Sequence, residues 1–530
     1  MVRRSSGLLA VCLFALLFSV YLLTFSGVYH SSDEMAMLVT ADSLARRGAW
    51  DIDLLRWMGQ QQGDLGPDGH LYSNKGSGMP LAALPLYWLA LQSDRVGNVQ
   101  AGMLTNAVVT ALTGALIYLF LRRLRFGDGV SMGTALAFGL GTMAWPYARY
   151  LFSETLAGLG LMFSAYFLLR YHNEHDRLSP LLAGAGLGAA LLTRLNTVIV
   201  APFFGLLLLA YLYRRRRFGY RAWMEPLILF GLPVLAALAV TGGYNWLRFG
   251  NPLITGYQPE ERFATPFLKG FYGLILNPCK GLLWYNPILL AALAAWPAFS
   301  RQHRAEGLLV GAVVLTNVAF YSPWHLWWGG HSWGPRFLLT TVPFAALLLA
   351  SALEAATHRR PLAIVLGILA AASVAVQLLG VAVNFNLYLE DIYTQLGLYH
   401  PATLFNPAYS PLLRQIAYLC PKNLDLAWAQ GGSLHWLALL DGVFLVLVTG
   451  LALSAAWRGR RAVWLGAGSI LLLGLGTIFS LLHYSPTGDV AEVARALAAM
   501  ERPSEVAALT DHLLSAAFQD AYDEIGRAHV

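Results

Sequence analysis

Four residues able to move protons or hold anions stand where apolar runs meet polar loops. Asp33 and Glu34 directly follow the first apolar run, Lys75 lies in the Gly-rich segment Asp68–Pro80, and Glu154 opens a later apolar run. A carboxylate at such a boundary, where a lipid head group lies, could take a proton from an attacking hydroxyl. The same Asp33-Glu34 pair, preceded by Ser32 as N-cap, is also what a helix dipole favours in its first turn. Lys75 can hold a phosphate in a flexible, amide-rich loop, or simply snorkel as an interfacial anchor. Glu154 after Ser153 reads as a second acid or as ordinary helix capping. Arg149, in the turn before it, is a candidate anion contact.

A second dense segment is Trp324-His-Leu-Trp-Trp-Gly-Gly-His-Ser-Trp-Gly-Pro-Arg336, with four tryptophans, two histidines and an arginine. An interfacial aromatic belt accounts for the tryptophans. Their faces, Trp333 among them, also suit sugar C–H surfaces, Arg336 suits bidentate phosphate binding, and Gly329-Gly330 would let a ligand approach at His331. A zinc site at His325 and His331 lacks a third ligand at suitable spacing. Cys279 and Cys420 both fall in outer loops and could pair, although spacing alone does not show proximity.

The elements that must position these residues are apolar spans. Of 530 residues, 57% are hydrophobic and 12% charged, against about 25% charged in ordinary globular chains; mean hydropathy is +0.54. A soluble enzyme, a disordered chain and a disulfide scaffold are excluded. Thirteen apolar runs fall near 7–25, 98–121, 130–148, 154–170, 180–193, 196–213, 226–246, 282–298, 307–323, 337–353, 361–384, 433–456 and 462–484, so the fold class is an all-α polytopic membrane protein. The fifth and sixth could be one kinked helix interrupted at Arg194, or two spans. The helix beginning at Ser32 should lie on the membrane surface, with Met35, Leu38, Ala41 and Ala45 on one face.

Net charge is +7, but the basic residues do not form a nucleic-acid surface. They cluster on alternate connections, at Arg3-Arg4, Arg122 to Arg125, Arg170 to Arg177, Arg214 to Arg221, Arg301 to Arg304, Arg359-Arg360 and Arg458 to Arg461. That is the positive-inside pattern. It places the N-terminus in the cytoplasm and the long connections outside: 30–97, 247–281, 324–336, 385–432 and a tail over 485–523. Residues 524–530 read as a non-native tail.

An acidic pair after span one, a tyrosine–lysine loop about forty residues later, and an acid opening span four resemble the GT-C superfamily. These are membrane glycosyltransferases that use polyprenyl-phosphate sugars, and the likeness is to glycosyltransferase family 39, the aminoarabinose transferases of lipid A and the protein O-mannosyltransferases. Leu182-Ala-Gly-Ala-Gly-Leu-Gly-Ala-Ala-Leu-Leu-Thr-Arg194 also looks like that family's fifth span. The likeness covers residues 1–215, a catalytic module, and leaves 216–484 as a variable transmembrane module. It implies a GT-C fold of about 13 transmembrane helices with interfacial helices in the first outer loop. It also implies Asp33 as general base with Glu34 and Glu154 as acidic companions, and Tyr72 and Lys75 at the carrier phosphate. The family usually has two prolines directly after the lysine. Here Gly76-Ser77-Gly78-Met79 intervene before Pro80, which would loosen the loop and leave the direction of Lys75 open.

The expected activity is therefore inverting transfer of a sugar from a polyprenyl-phosphate donor to a lipid, glycan or protein acceptor. The site would lie on the extracytoplasmic side of a bacterial inner membrane. No cofactor is required by the resemblance. A divalent metal stays open, because related oligosaccharyltransferases hold one on carboxylates placed like Asp33 and Glu154. A transporter or lipid-handling protein is the alternative, although its signature would be ionisable residues in mid-span, and here the charges gather at the rims. A family member kept only as a partner-binding subunit is the third.

Overall fold

The computed structural model describes residues 2–58, 62–92, 96–213, 221–257, 261–330, 332–397, 400–430 and 432–458. The first half carries α1 (Val2–Leu23), α2 (Ser32–Arg47), α3 (Gly78–Ala90), α4 (Asn98–Arg123), α5 (Asp128–Gly141), α6 (Ala144–Tyr147), α7 (Ser153–Glu174), α8 (Leu178–Thr193) and α9 (Ala201–Tyr213). The second half carries α10 (Arg221–Phe249), α11 (Phe267–Ile275), α12 (Leu282–Tyr285), α13 (Leu289–Gln302), α14 (Arg304–Tyr321), α15 (Val342–Leu347), α16 (Leu349–Ala356) and α17 (Arg360–Ala382). The connection after α17 and the last described span add α18 (Phe385–Leu396), α19 (Pro401–Phe405), α20 (Pro411–Arg414) and α21 (Trp436–Trp457). Two small antiparallel ribbons, β1 (Gly63–Leu65) with β2 (Leu71–Ser73) and β3 (Ala429–Gln430) with β4 (Ser433–Leu434), are the strands among the described residues.

The protein is an integral, multi-pass, all-α membrane protein. Among the described residues eight helical segments are long and apolar enough to cross a bilayer. Helical segments coincide with twelve of the thirteen expected spans; the thirteenth, 462–484, and the tail lie outside the described residues. Several spans are broken. Thr142 is extended between α5 and α6, Pro287 separates α12 from α13, and the span from Arg336 begins as a 3₁₀ turn over Arg336–Thr341.

Arg194 marks a reversal, so the fifth and sixth runs are two spans. Its backbone is extended, and the chain turns back through a 3₁₀ turn, Leu195–Ile199, into α9. Arg194 meets Glu154 at the start of α7. Tyr211, near the end of α9, stacks on His172 near the end of α7 at 4.3 Å. The two helices therefore run in opposite directions beside α7.

The arginine-rich turns gather at one end of the bundle. Arg123 reaches Glu174 at 3.0 Å, Phe126 stacks on Phe299 at 6.2 Å, and Trp457 lies against Gly129. Glu154 and Arg194, at the other ends of α7 and α8, lie at the opposite end. One expectation fails here. α2 does not lie on a surface: Ser32 through Ser43 are all buried, because α3 packs along the helix and Gly102 of α4 meets Leu38. Its apolar face meets protein, not lipid.

Candidate active site

α2 begins with a variant of the capping box, in which the glutamate reaches the amide one residue before the N-cap. Ser31, one residue earlier than the sequence indicates, is the N-cap and accepts from the Glu34 amide. Glu34 Oε2 accepts from the His30 amide at 2.7 Å, and Oε1 from the Leu151 amide at 2.7 Å. Glu34 is thus a buried structural carboxylate, its acidity weakened by burial, tying α2 to the turn before α7. Its expected catalytic place is not where the structure puts it, because backbone amides occupy both oxygens.

Asp33, one residue back, points the other way. Lys75 Nζ lies 2.6 Å from its Oδ1 and the Arg336 guanidinium donates to its Oδ2 at 2.7 Å. Burial would raise its pKa, but the two adjacent cations outweigh that and hold the carboxyl well below the usual carboxylate range. Lys75 responds in the opposite sense: burial pulls its pKa down, and Asp33 beside it raises it on balance. Behind Asp33, Glu154 is 1% exposed. It faces Arg194 at 2.7 Å and the Arg336 Nε at 3.6 Å. Arg336 therefore stands between the two carboxylates. Three cations face two carboxylates, leaving one positive charge in a nearly dry place.

The lysine loop is held from two sides. Arg248 of α10 donates to the carbonyls of Ser73 and, at 3.3 Å, of Lys75. Gly76 and Gly78 press against the end of α8: a Cβ on Gly76 would lie 2.4 Å from the Thr193 carbonyl oxygen, and one on Gly78 2.7 Å from the Thr193 Cα. Gly76 and Gly78 therefore dock the loop instead of loosening it, and Lys75 is delivered to Asp33.

Of the residues singled out in the sequence, Asp33, Lys75, Glu154 and Arg336 come together. Tyr72 does not join them, because its hydroxyl donates to Asp68 at 2.7 Å. Arg149 is 1% exposed and bound to Asp425 and the Val381 carbonyl, so it is no free anion contact. Trp333 is equally buried, packed edge-on against Tyr285 at 5.0 Å, so it offers no face to a sugar. His331 lies outside the described residues. Cys279 and Cys420 are unpaired. Arg194 was readable only as a possible break between spans. An ionisable residue at the joint of an apolar stretch is itself a functional signal, and it could have been found.

The described residues contain no group of three or more His, Cys, Asp or Glu side chains that could hold a metal ion. Asp33 and Glu154 alone would offer a divalent ion two ligands, with Arg336 lying between them. As arranged here they do not fit such an ion.

No family model matches the chain and no curated protein matches it. Among solved structures it is similar to ArnT from Cupriavidus metallidurans in the apo state, at 16% identity and a TM-score of 0.47, over 98% of this chain and 85% of that one. It is also similar to the same protein bound to undecaprenyl phosphate, at 14% identity and a TM-score of 0.45, over 96% and 84% of the two chains. A third likeness is to an Archaeoglobus fulgidus oligosaccharyltransferase in the apo form, at 13% identity and a TM-score of 0.42, over 70% and 54%.

Proposed function

We propose that this protein is a GT-C-type glycosyltransferase that moves a sugar from a polyprenyl-phosphate donor to an acceptor hydroxyl, with inversion and with Asp33 as general base. The observation that carries the reading is the buried cluster in which Lys75 and Arg336 converge on Asp33 while Glu154 and Arg194 stand behind. An anionic donor phosphate is drawn to the unbalanced positive charge. Charge grows on that phosphate as the sugar–oxygen bond breaks, so cations fixed beforehand stabilise the transition state more than the ground state.

The same cations explain how the base is timed. Without a donor, Asp33 is the anion that Lys75 and Arg336 hold, and it is too weak a base to take a hydroxyl proton. When the phosphate takes over the two cations, Asp33 loses its counter-charges and its proton affinity rises towards the useful range. The acceptor hydroxyl then attacks the anomeric carbon from the face opposite the phosphate, Asp33 receives its proton, and the carrier phosphate leaves.

The extracytoplasmic placement rests on the arginine-rich turns at the far end of the bundle from this cluster. In a variant lacking Cys12, Cys279 and Cys420, single cysteines at Gly69 and Asn251 should react with an impermeant thiol reagent from outside. Cysteines at Gly127 and Gln302 should react only after permeabilisation. The reverse pattern would put the site in the cytoplasm.

The test of the chemistry uses the purified protein in lipid nanodiscs, a panel of undecaprenyl-phosphate monosaccharides, and release of undecaprenyl phosphate as readout. Wild type releases it with at least one donor. Asp33→Asn lowers the rate by about 10²–10⁴-fold, yet binds undecaprenyl phosphate itself more tightly, because the internal competitor for Lys75 and Arg336 is gone. Undiminished turnover in Asp33→Asn would sink the base assignment, and absence of undecaprenyl phosphate binding to wild type would sink the donor class.

A further inference from the structure

Lys280, between α11 and α12, is 6% exposed and faces no carboxylate within ion-pair distance among the described residues. Its ammonium donates instead to three backbone carbonyls on one turn: Gly330 at 3.2 Å, Ser332 at 2.5 Å and Gly334 at 3.5 Å. That turn is built on glycines. Gly329, Gly330 and Gly334 all have positive φ, between 68° and 77°, a conformation most residues avoid. Two residues beyond Gly334 comes Arg336, the cation on Asp33 and Glu154. A Cβ on Gly329 would lie 3.2 Å from the Arg336 Cβ, so the turn folds back directly onto that arginine.

We propose that Lys280 is a positioning residue for the donor site: its three hydrogen bonds fix the Gly330–Gly334 turn and thereby aim Arg336 at Asp33 and at the donor phosphate. The inference rests on the donor reading above. A buried ammonium without a counter-charge is expensive, and an apolar side chain would fill the space at less cost. The three charge-assisted bonds are what the lysine supplies in return.

Burial, and then the nearby charge of Arg336, push the Lys280 pKa down to about 7. The ammonium is therefore charged below neutrality and loses its third donor and its charge above it. The other groups that face it do not titrate there. Arg336 stays protonated, burial pushes the Cys279 thiol up to about 11, and the Tyr388 phenol is raised by burial. Tyr285 donates its hydroxyl to the Cys279 carbonyl at 2.9 Å. A small cleft lined by Lys280, Gly330, Phe385 and Tyr388 adjoins the amine.

The experiment measures undecaprenyl phosphate binding to the full chain in nanodiscs between pH 6 and pH 9, comparing wild type with Lys280→Arg and Lys280→Met. The lipid's own phosphate titrates in this range, but equally for every variant, so the ratio of affinities isolates the protein. Wild type should match Lys280→Arg at pH 6 and fall behind it by on the order of ten-fold at pH 8.5, the scale on which small misplacements act. Lys280→Met should be weak throughout. The wild-type midpoint near pH 7 should persist in His331→Gln. The folded chain binds the Lys280 proton less tightly than the unfolded chain does, so rising pH favours the folded state through this group; weaker binding at high pH is then not unfolding. A flat ratio of wild type to Lys280→Arg overturns the proposal. Wild type that binds no undecaprenyl phosphate at any pH overturns the donor reading instead.

Discussion

Two buried charge clusters lie close together at the same end of this bundle, and they are built from similar parts. In one, Asp33 is shared by Lys75 and Arg336. In the other, Asp425 is shared by Arg149 and His30, whose Nε2 lies 2.7 Å away. The difference is in balance and closure. Burial, and then Arg149, push the His30 pKa down to about 3, so His30 is a neutral donor and the second cluster is one cation against one anion. It is also sealed: the Arg149 and Asp425 side chains are 1% and 6% exposed, against 19% and 12% for Lys75 and Asp33. A balanced, sealed cluster has nothing to offer a ligand. It clamps the 385–432 connection to the turn before α7 through Arg149, 276 residues away, and to the 30–97 loop through His30. An unbalanced and slightly open cluster can exchange its internal anion for an external one.

The largest effects should come from neutralising the central carboxylate of each cluster. Asp33→Asn removes transfer and should cost less stability than the matching change at Asp425, because Lys75, whose side chain is 19% exposed, can still meet water. Asp425→Asn leaves Arg149 buried without a counter-charge and should cost about 3–5 kcal/mol of stability. Thermal unfolding and undecaprenyl phosphate binding, measured side by side, separate the two. If Asp425→Asn stays fully stable but stops binding the lipid, the clamp belongs to the site after all.

The cation Lys75 comes next. A charge-assisted hydrogen bond is worth about 1.5–3 kcal/mol, so Lys75→Ala should weaken undecaprenyl phosphate binding by roughly ten- to a hundred-fold. Lys75→Arg should restore only part of this, since a planar fork replaces a point charge. Gly76→Ala should act on the same cation indirectly. The added methyl must push the lysine loop off the Thr193 carbonyl, at a cost of about 1–3 kcal/mol, and move Lys75 away from Asp33. Wild-type affinity in both variants would reduce Lys75 to an interfacial anchor.

Asp33, Lys75, Glu154 and Arg336 were legible because each stands at the edge of an apolar run. There hydropathy sets depth, and depth alone brings residues 303 positions apart to one level of the membrane. What depth does not give is the direction of a side chain. Arg149 and Arg336 occupy equivalent rims, but only the fold shows that Asp425 lies beside one and Asp33 beside the other. Trp333 looked like a sugar platform because tryptophan is amphipathic; Gly380, whose added Cβ would lie 2.6 Å from the ring, lets α17 bury it. The role of Lys280 is not legible in the sequence, because a lysine bound by carbonyls has no partner residue type to search for.

Tyr72 carries the smallest expected effect and the sharpest question about the resemblance. Family likeness puts its hydroxyl at the carrier phosphate, whereas here it donates to Asp68, an exposed residue. Its ring packs edge-on against Phe249 at 6.4 Å, a contact that Tyr72→Phe keeps. The lost hydrogen bond is at the rim and near water, worth no more than about 1 kcal/mol. Tyr72→Phe should therefore change undecaprenyl phosphate affinity by less than about three-fold, while Lys75→Ala, three residues on, shows the large loss. A loss in Tyr72→Phe as large as in Lys75→Ala would mean that the phenol leaves Asp68 for the phosphate when the lipid binds. The lysine loop would then close over the donor, and the resting arrangement of Tyr72 would be its open form.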